Sequence, residues 1–214
     1  MLKVLGKECG NSNWTARALA APLLALVVFA AFAGCSRAPK VEVPADGVIR
    51  LSEQFSGDFA LIDQQGKAVA DEDFRGKVEI VYFGFASCPD VCPMALGALS
   101  AALNELTDKE RAQVVPLFIT VDPERDTPEI LKAFLSFDDR IIGLTGAPEA
   151  AAAARQSFKV YARKVPQPES ALGYTMDHSS LFYVVDRQGQ PQLALNDSLT
   201  APQLAEMVRR AIKS

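Results

Sequence analysis

The chain has 214 residues, of which 49% are apolar, and this is enough to bury the core of one domain. Its formal net charge is −4 and its isoelectric point is about 5.1. An acidic chain does not attract phosphate groups, and the sequence has no cluster of lysine and arginine with interleaved aromatic residues. Nucleic acid is therefore excluded as a partner.

The first 34 residues predict an export signal. Three basic residues precede an apolar run over residues 18–32. This run is shorter than the roughly 20 residues that a membrane-spanning helix needs, but it suits the core of a signal peptide. The sequence Phe-Ala-Gly-Cys at 32–35 resembles a bacterial lipoprotein box, in which the cysteine, here Cys35, is lipidated and becomes the first residue of the mature chain.

Residues 35–52 contain two prolines and a glycine and show little periodicity, which predicts a flexible tether. We therefore predict a signal peptide of lipoprotein type over 1–34, lipid attachment at Cys35, the tether over 35–52 and one domain over 53–214. An uncleaved N-terminal anchor is the alternative. In both cases the domain is exported and faces the periplasm or the cell exterior from a bacterial membrane.

Strands and helices alternate along the predicted domain. An alternating run with a turn at Gln65-Gly66 predicts an N-terminal β-hairpin. Apolar runs predict further strands at 78–85, 114–121, 141–144, 159–165, 181–185 and 192–195. Helical spacing predicts helices at 93–106, from 128, at 148–158 and at 201–212. This order indicates an α/β domain of the thioredoxin-like fold, a central mixed β-sheet flanked by helices on both faces.

Two details of this pattern are specific enough to be checked. Thr127 is a predicted N-cap with Pro128 at the first helical position. Four apolar residues of that helix form the predicted buried stripe: Ile130, Leu131, Phe134 and Leu135. Residues 167–174 are predicted to be an exposed loop.

A pair of cysteines follows the first long buried strand. Pro93 suits the first turn of a helix, so Cys88 and Cys92 lie between the carboxyl end of a strand and the N-terminus of a helix. This position lowers the pKa of a cysteine from its ordinary value of about 8.5. No other cysteine follows Cys35, and a disulfide between residues so close in sequence stabilises a fold little. The pair is therefore predicted to have a chemical role.

The single histidine of the chain, His178, lies immediately before the strand at 181–185. In a thioredoxin-like sheet that loop packs beside the cysteine pair, where thioredoxins carry a cis-proline. Two thiolates about 5–6 Å apart on one helix face, together with an imidazole, favour copper or zinc. A closed structural zinc site needs a fourth donor, which a carboxylate or water would have to supply. Copper accepts three ligands, so the residues favour copper and leave zinc open.

Three motifs resemble the Sco family, also called SenC, of thioredoxin-like copper chaperones. They are CPDVCP at 88–93, VDPERDTP at 121–128 and DHS at 177–179, and the resemblance covers about 53–214. It implies copper, as Cu(I) and Cu(II), held by Cys88, Cys92 and His178 for delivery to the binuclear copper centre of cytochrome c oxidase during its assembly. The implied partner is the copper-containing subunit of the oxidase, with other copper chaperones or thiol–disulfide reductases as further partners.

Acidic residues near these motifs have two interpretations. Asp122, at the end of the second long strand, would orient His178 or tune the thiolates, and the alternative is a simple turn before a helix. The same two interpretations hold for Asp177. Arg125 and Asp126 are interpreted as a solvated turn.

Two functions fit these residues. The first is a membrane-tethered copper metallochaperone, a binding protein that needs Cys88, Cys92 and His178. The second is an enzyme, a thiol–disulfide reductase that keeps the copper-binding cysteines of the oxidase reduced. It requires Cys88 and Cys92 to cycle between dithiol and disulfide and leaves His178 dispensable. A peroxiredoxin-like peroxidase is disfavoured, because Phe85 stands where that family carries a threonine. The histidine favours the first function.

Overall fold

The computed structural model of the protein describes residues 47–214. The strands of this range are β1 (Val48–Arg50), β2 (Ala60–Asp63), β3 (Ala68–Ala70), β4 (Val78–Gly84), β5 (Val114–Thr120), β6 (Ile142–Thr145), β7 (Ala162–Pro166), β8 (Tyr174–His178), β9 (Leu181–Val185) and β10 (Pro191–Asn196). The helices are α1 (Val91–Asn104), α2 (Asp108–Arg111), α3 (Pro128–Phe134), α4 (Pro148–Ser157) and α5 (Ala201–Lys213), with a 3₁₀ helix at Asp71–Phe74. The predicted signal peptide, Cys35 and most of the predicted tether lie outside the described residues.

Within residues 47–214, eight strands form one mixed sheet in the order β1-β10-β9-β4-β5-β6-β2-β3. The central pairs β4–β5 and β5–β6 are parallel, and the pairs on either side are antiparallel. The predicted N-terminal hairpin is β2–β3. Because β4 and β5 are parallel, their carboxyl ends meet at one edge of the sheet. The loops that follow them therefore lie next to each other.

The centre of the sheet is buried on both faces because every residue of β4 and of β5 is buried. Successive side chains of a strand point to opposite faces. Tyr82 therefore packs on Phe182 of β9 on one face, with the ring centroids 4.9 Å apart. Phe83 packs on the other face against Phe158 at the end of α4, with the centroids 5.2 Å apart. The predicted thioredoxin-like α/β fold is confirmed.

Helices cover both faces of this sheet. On the Tyr82 face, α1 packs against α5, and α3 lies against β6. Gly143 of β6 has room only for hydrogen, since a Cβ there would lie 2.6 Å from the side chain of Leu135. The predicted cap of α3 is also present, because the Thr127 hydroxyl accepts a hydrogen bond from the Ile130 amide and Pro128 is the first helical residue.

Three predictions about individual segments are wrong. Residues 48–50 belong to the predicted tether but form β1, which pairs with β10 through its backbone. Ile130 was expected in the buried stripe of α3 but is 47% exposed, whereas Leu131, Phe134 and Leu135 face the core. The stretch before β9 was expected to be a loop, yet residues 174–178 form β8, whose hydrogen bonds go to β7. In residues 47–214, no helix is both long and apolar enough to cross a membrane.

One charged residue lies inside the central strand. Glu79 of β4 is only 1% exposed, and its Oε1 has no hydrogen-bond partner among the described residues. Burial raises the pKa of Glu79 from 4.5 to about 8, although the Arg75 guanidinium opposes the rise. The folded protein therefore holds a proton at neutral pH that the unfolded chain has released.

We predict that this proton makes stability fall as the pH rises. A raised pKa in the folded state leaves stability complete below about pH 4.5 and reduces it progressively up to about pH 8. Glu79→Gln should therefore raise the free energy of unfolding by on the order of 4 kcal/mol at pH 9 and change it little at pH 4. Chemical denaturation at both pH values measures this, with the exposed Glu169→Gln as the control. A gain that is equal at the two pH values contradicts the prediction.

Candidate metal centre

The two cysteines lie at the carboxyl edge of the central sheet. Cys88 is in the loop between β4 and α1, and Cys92 is the second residue of α1. Cys92 is fully buried and Cys88 is half-buried, and both are free thiols. Gly84, the last residue of β4, makes this packing possible, since a Cβ there would lie 2.9 Å from Cys92 Sγ. The strand therefore ends directly beneath the buried sulfur.

The two thiols differ in acidity because of their surroundings. The Cys92 thiol donates a hydrogen bond to Cys88, and backbone amides of residues 90–92 also point at the Cys88 sulfur, with Cys92 N at 3.4 Å. These donors lower the pKa of Cys88 to about 5. The same hydrogen bond and burial raise the pKa of Cys92 well above its ordinary value. At neutral pH the pair is therefore one accessible thiolate beside one buried thiol.

His178 approaches the cysteine pair from β8. Its Nε2 lies 3.8 Å from Cys92 Sγ, and its Nδ1 lies 3.0 Å from the carbonyl oxygen of Ser179. A carbonyl oxygen can only accept, so Nδ1 carries the proton and donates it. In the neutral ring Nε2 is then the nitrogen with the unshared electron pair, and it faces the sulfur. The edge-on ring of Phe85, with its centroid 5.8 Å from that of His178, packs beside the imidazole.

Cys92 thus lies between the other two groups: its sulfur is next to that of Cys88 on one side and next to the His178 imidazole on the other. Within residues 47–214 no three cysteine, histidine or carboxylate side chains already surround a common point. A metal ion would therefore have to draw these three side chains inward by small movements. Soft sulfur ligands and one imidazole nitrogen suit copper or zinc far better than magnesium or calcium.

The structure places the two predicted supporting carboxylates differently. Asp122 is buried, and its carboxylate accepts hydrogen bonds from the Tyr174 hydroxyl at 2.9 Å and from Arg125 Nε at 2.5 Å. Asp122 therefore contacts β8, the strand that carries His178, at Tyr174, which lies four residues before the histidine. Asp177 lies on the opposite face of β8 from His178, where it is exposed and forms a 3.2 Å ion pair with Arg163. Strand alternation thus turns Asp177 away from the sulfurs.

Asp126 is a functional residue that the sequence interpretation missed. It was interpreted as part of a solvated turn, but it is fully buried. Its Oδ2 accepts from the Ala86 amide at 3.0 Å and from the Thr120 hydroxyl at 2.6 Å. Asp126 therefore joins the cysteine loop to the end of β5. The only sequence signal was its place in the motif at 121–128, since burial of an aspartate in a turn has no pattern of its own.

Arg125 was also interpreted as part of a solvated turn, but its side chain contacts Asp122 and Tyr174. Arg125 donates from Nε to the Asp122 carboxylate, and it also donates from Nη1 to the backbone oxygen of Tyr174 at 3.0 Å. Its guanidinium carbon lies 3.8 Å from the centroid of the Tyr174 ring, which is a cation–π distance. Arg125 therefore links the loop after β5 to β8.

Comparison with known proteins now identifies the family. The family model described as SCO1/SenC matches residues 48–213, which is most of the chain. The chain belongs to the SCO1/SenC family. A SCO2-like protein of Rickettsia felis is 37% identical over 153 residues, which are 70% of this chain and 74% of that protein.

Solved structures of the SCO1/SenC family have the same fold. ScoI of Bradyrhizobium japonicum, whose structure was solved with copper bound, is 41% identical and has a TM-score of 0.67 over 73% of this chain and 99% of that one. BsSco, a member of the Sco family of cytochrome c oxidase assembly proteins in which a disulfide switch was identified, is 26% identical. Its TM-score is 0.60, over 77% of this chain and 96% of that one.

We predict that Cys88 reacts as a thiolate at mildly acidic pH. Because its pKa is about 5 and it is half-buried, iodoacetamide at pH 6 should modify Cys88 and leave the buried, protonated Cys92 unmodified. Mass spectrometry of the modified peptides, over a range of pH, gives the rate profile. In Cys92→Ala the profile of Cys88 should move to higher pH, since the strongest hydrogen bond to its sulfur is gone. Identical profiles in the two proteins would refute this origin of the low pKa.

Proposed function

We propose that this chain is a copper metallochaperone that delivers copper to the binuclear copper centre of cytochrome c oxidase during assembly of the oxidase. The observation that carries the proposal is the 3.8 Å approach of His178 Nε2 to Cys92 Sγ. A reductase needs the two sulfurs but has no use for an imidazole whose unprotonated nitrogen faces them. A copper site uses all three groups as ligands.

The arrangement suits a metal that has to be passed on. Cys88 is half-buried and already a thiolate, so it is the natural first contact for an incoming ion. Cys92 is buried and loses its proton as it becomes a ligand. The hydrogen bond from Nδ1 to Ser179 holds the imidazole in the tautomer that offers Nε2. Copper would leave by ligand exchange, as thiolates of the partner replace those of Cys88 and Cys92 in turn.

Relatives support both halves of the proposal. The Bradyrhizobium protein binds copper, and BsSco belongs to a group of oxidase assembly proteins. The copper-containing subunit of the oxidase is therefore the proposed partner, with other copper chaperones and thiol–disulfide reductases as further partners. The predicted lipoprotein signal supports attachment to a bacterial membrane, with Cys35 as the lipid attachment site and the domain in the periplasm or at the cell exterior.

A thiol–disulfide reductase is the second candidate, and the low pKa of Cys88 is compatible with it as well. The Cys88 thiolate would attack a disulfide of the oxidase subunit, form a mixed disulfide and release one partner thiolate. Cys92, once deprotonated, would then attack Cys88 and release the second partner thiolate. The partner gains two electrons and this chain keeps a Cys88–Cys92 disulfide. The disulfide switch of BsSco is consistent with this chemistry.

We predict that copper binding depends on the histidine as well as on the cysteines. The full-length protein, purified in detergent and reduced, is titrated with Cu(I) against a competing chelator, alongside His178→Ala. Wild type should form a one-to-one complex, and loss of the imidazole ligand should weaken it at least about tenfold, or about 1.4 kcal/mol. Cys88→Ser and Cys92→Ser should each weaken Cu(I) binding more than His178→Ala does, because a thiolate is a stronger ligand for copper than a neutral imidazole.

A matched measurement separates the two candidate functions. Reduction of a disulfide-bonded copper-site peptide of the oxidase subunit should require both cysteines in a reductase, and His178→Ala should retain this activity. If wild-type protein binds Cu(I) weakly, or if His178→Ala binds it equally well, the metallochaperone function is wrong. The cysteine pair is then a redox centre.

A further inference from the structure

The strand that brings His178 to the cysteines is held outside the main sheet. Within residues 47–214, β7 and β8 pair with each other and not with the eight-stranded sheet. Their residues are exposed or half-buried, so little apolar burial fixes this hairpin to the domain. The position of the imidazole therefore depends on specific contacts at the two ends of β8.

One end of β8 is fixed by the chain itself. His178 is followed after two residues by β9, which pairs with the central strand β4. The other end, at Tyr174, has no such continuation, because an exposed loop at 167–173 precedes it. Tyr174 and His178 lie on the same face of β8, four residues and about 13 Å apart. A contact that fixes Tyr174 therefore also fixes the direction in which β8 runs toward the cysteines.

Asp122, Arg125 and Tyr174 form that contact, which we call the β8 latch. The Asp122 side chain is fully inaccessible and receives both the Tyr174 hydroxyl and Arg125 Nε. Arg125 also binds the backbone oxygen of Tyr174 and lies over its ring. Each of the three residues contacts the other two, so the latch is closed. The planar guanidinium makes the two hydrogen bonds and the ring contact together.

The latch is connected to the cysteine loop as well. The backbone amide of Asp122 donates to the Thr120 hydroxyl at 2.9 Å, and Thr120 in turn donates to Asp126. Asp126 accepts the amide of Ala86, two residues before Cys88. One short segment, residues 120–126, therefore holds the cysteine loop through Asp126 and the histidine strand through Asp122 and Arg125.

We propose that Asp122, Arg125 and Tyr174 are positioning residues, which hold His178 against the cysteine pair without touching it. They act on copper only through the imidazole, and this consequence rests on the proposed function. The positional part does not, because it concerns the metal-free protein. Opening the latch would leave β8 paired with β7, and would leave the hairpin joined to residues 120–126 only through the exposed Lys164–Glu124 ion pair. Nε2 could then move away from Cys92.

The first test follows the imidazole in the metal-free protein by proton NMR. His178 is the only histidine in the sequence, so its ring signals are unambiguous. The perpendicular ring of Phe85 beside the imidazole should shift them away from the positions of a solvated histidine. Arg125→Ala and Tyr174→Phe should move the signals toward those positions. Arg125→Ala leaves the buried Asp122 carboxylate without its cation, and this variant could fail to fold. Tyr174→Phe keeps the ring and the ion pair, so it serves as the second variant.

Arg163→Ala is the matched control for Arg125→Ala. It also removes an arginine from an ion pair, but this pair lies within the β7–β8 hairpin, on its exposed face, with Asp177. The His178 signals should stay as in wild type. If Arg125→Ala and Tyr174→Phe also leave the signals unchanged, the latch does not position the histidine and the inference is wrong, whatever the protein does with copper.

The second test measures Cu(I) binding in two backgrounds. With His178 present, Tyr174→Phe and Arg125→Ala should weaken binding about three- to tenfold, and Arg163→Ala should not. In the His178→Ala background the same substitutions should have no further effect, because the latch acts through the imidazole. A loss of equal size in both backgrounds indicates general damage to the site and overturns the inference. Wild-type protein that fails to bind Cu(I) refutes the proposed function, and the NMR test then decides on the latch alone.

Discussion

A single buried carboxylate ties the two loops of the site together. Asp126 has no exposed surface, and one of its oxygens accepts both the Ala86 amide and the Thr120 hydroxyl. Burial raises the pKa of Asp126, because the charged carboxylate is less stable there than in water. The two hydrogen bonds offset part of this cost and fix the loop. Without that link, the end of β4 and the end of β5 would be joined only by the sheet itself. The geometry of the cysteine loop depends on this contact.

The two sulfurs are prepared for different tasks by their surroundings. Amides at the start of α1 stabilise charge on Cys88, and Gly84 makes room for Cys92 at the end of the strand. The imidazole adds an unprotonated nitrogen that faces the buried sulfur. Metal binding and disulfide chemistry both need an accessible thiolate and a second sulfur nearby. One site can therefore support both, and the histidine is the part that separates them.

The sequence was informative wherever a local pattern determines structure. The long apolar runs gave β4, β5 and β9, and Thr127 with Pro128 gave the start of α3, because strand burial and helix capping are local effects. The errors concern contacts between segments that are distant in sequence. The extension of the domain to β1 depends on pairing with β10. Asp126 and Arg125 look like ordinary turn residues until the fold brings Ala86 and Tyr174 beside them.

In the part of the chain that the structure describes, the eight-stranded sheet has a very short strand on each side. β1 and β3 have three residues each, whereas the central strands have seven. An edge strand offers its unpaired backbone groups to any other strand, and long, flat edges make proteins aggregate. With only three residues at each edge, a second molecule finds little backbone to pair with. The domain is therefore well suited to being crowded with other copies of itself.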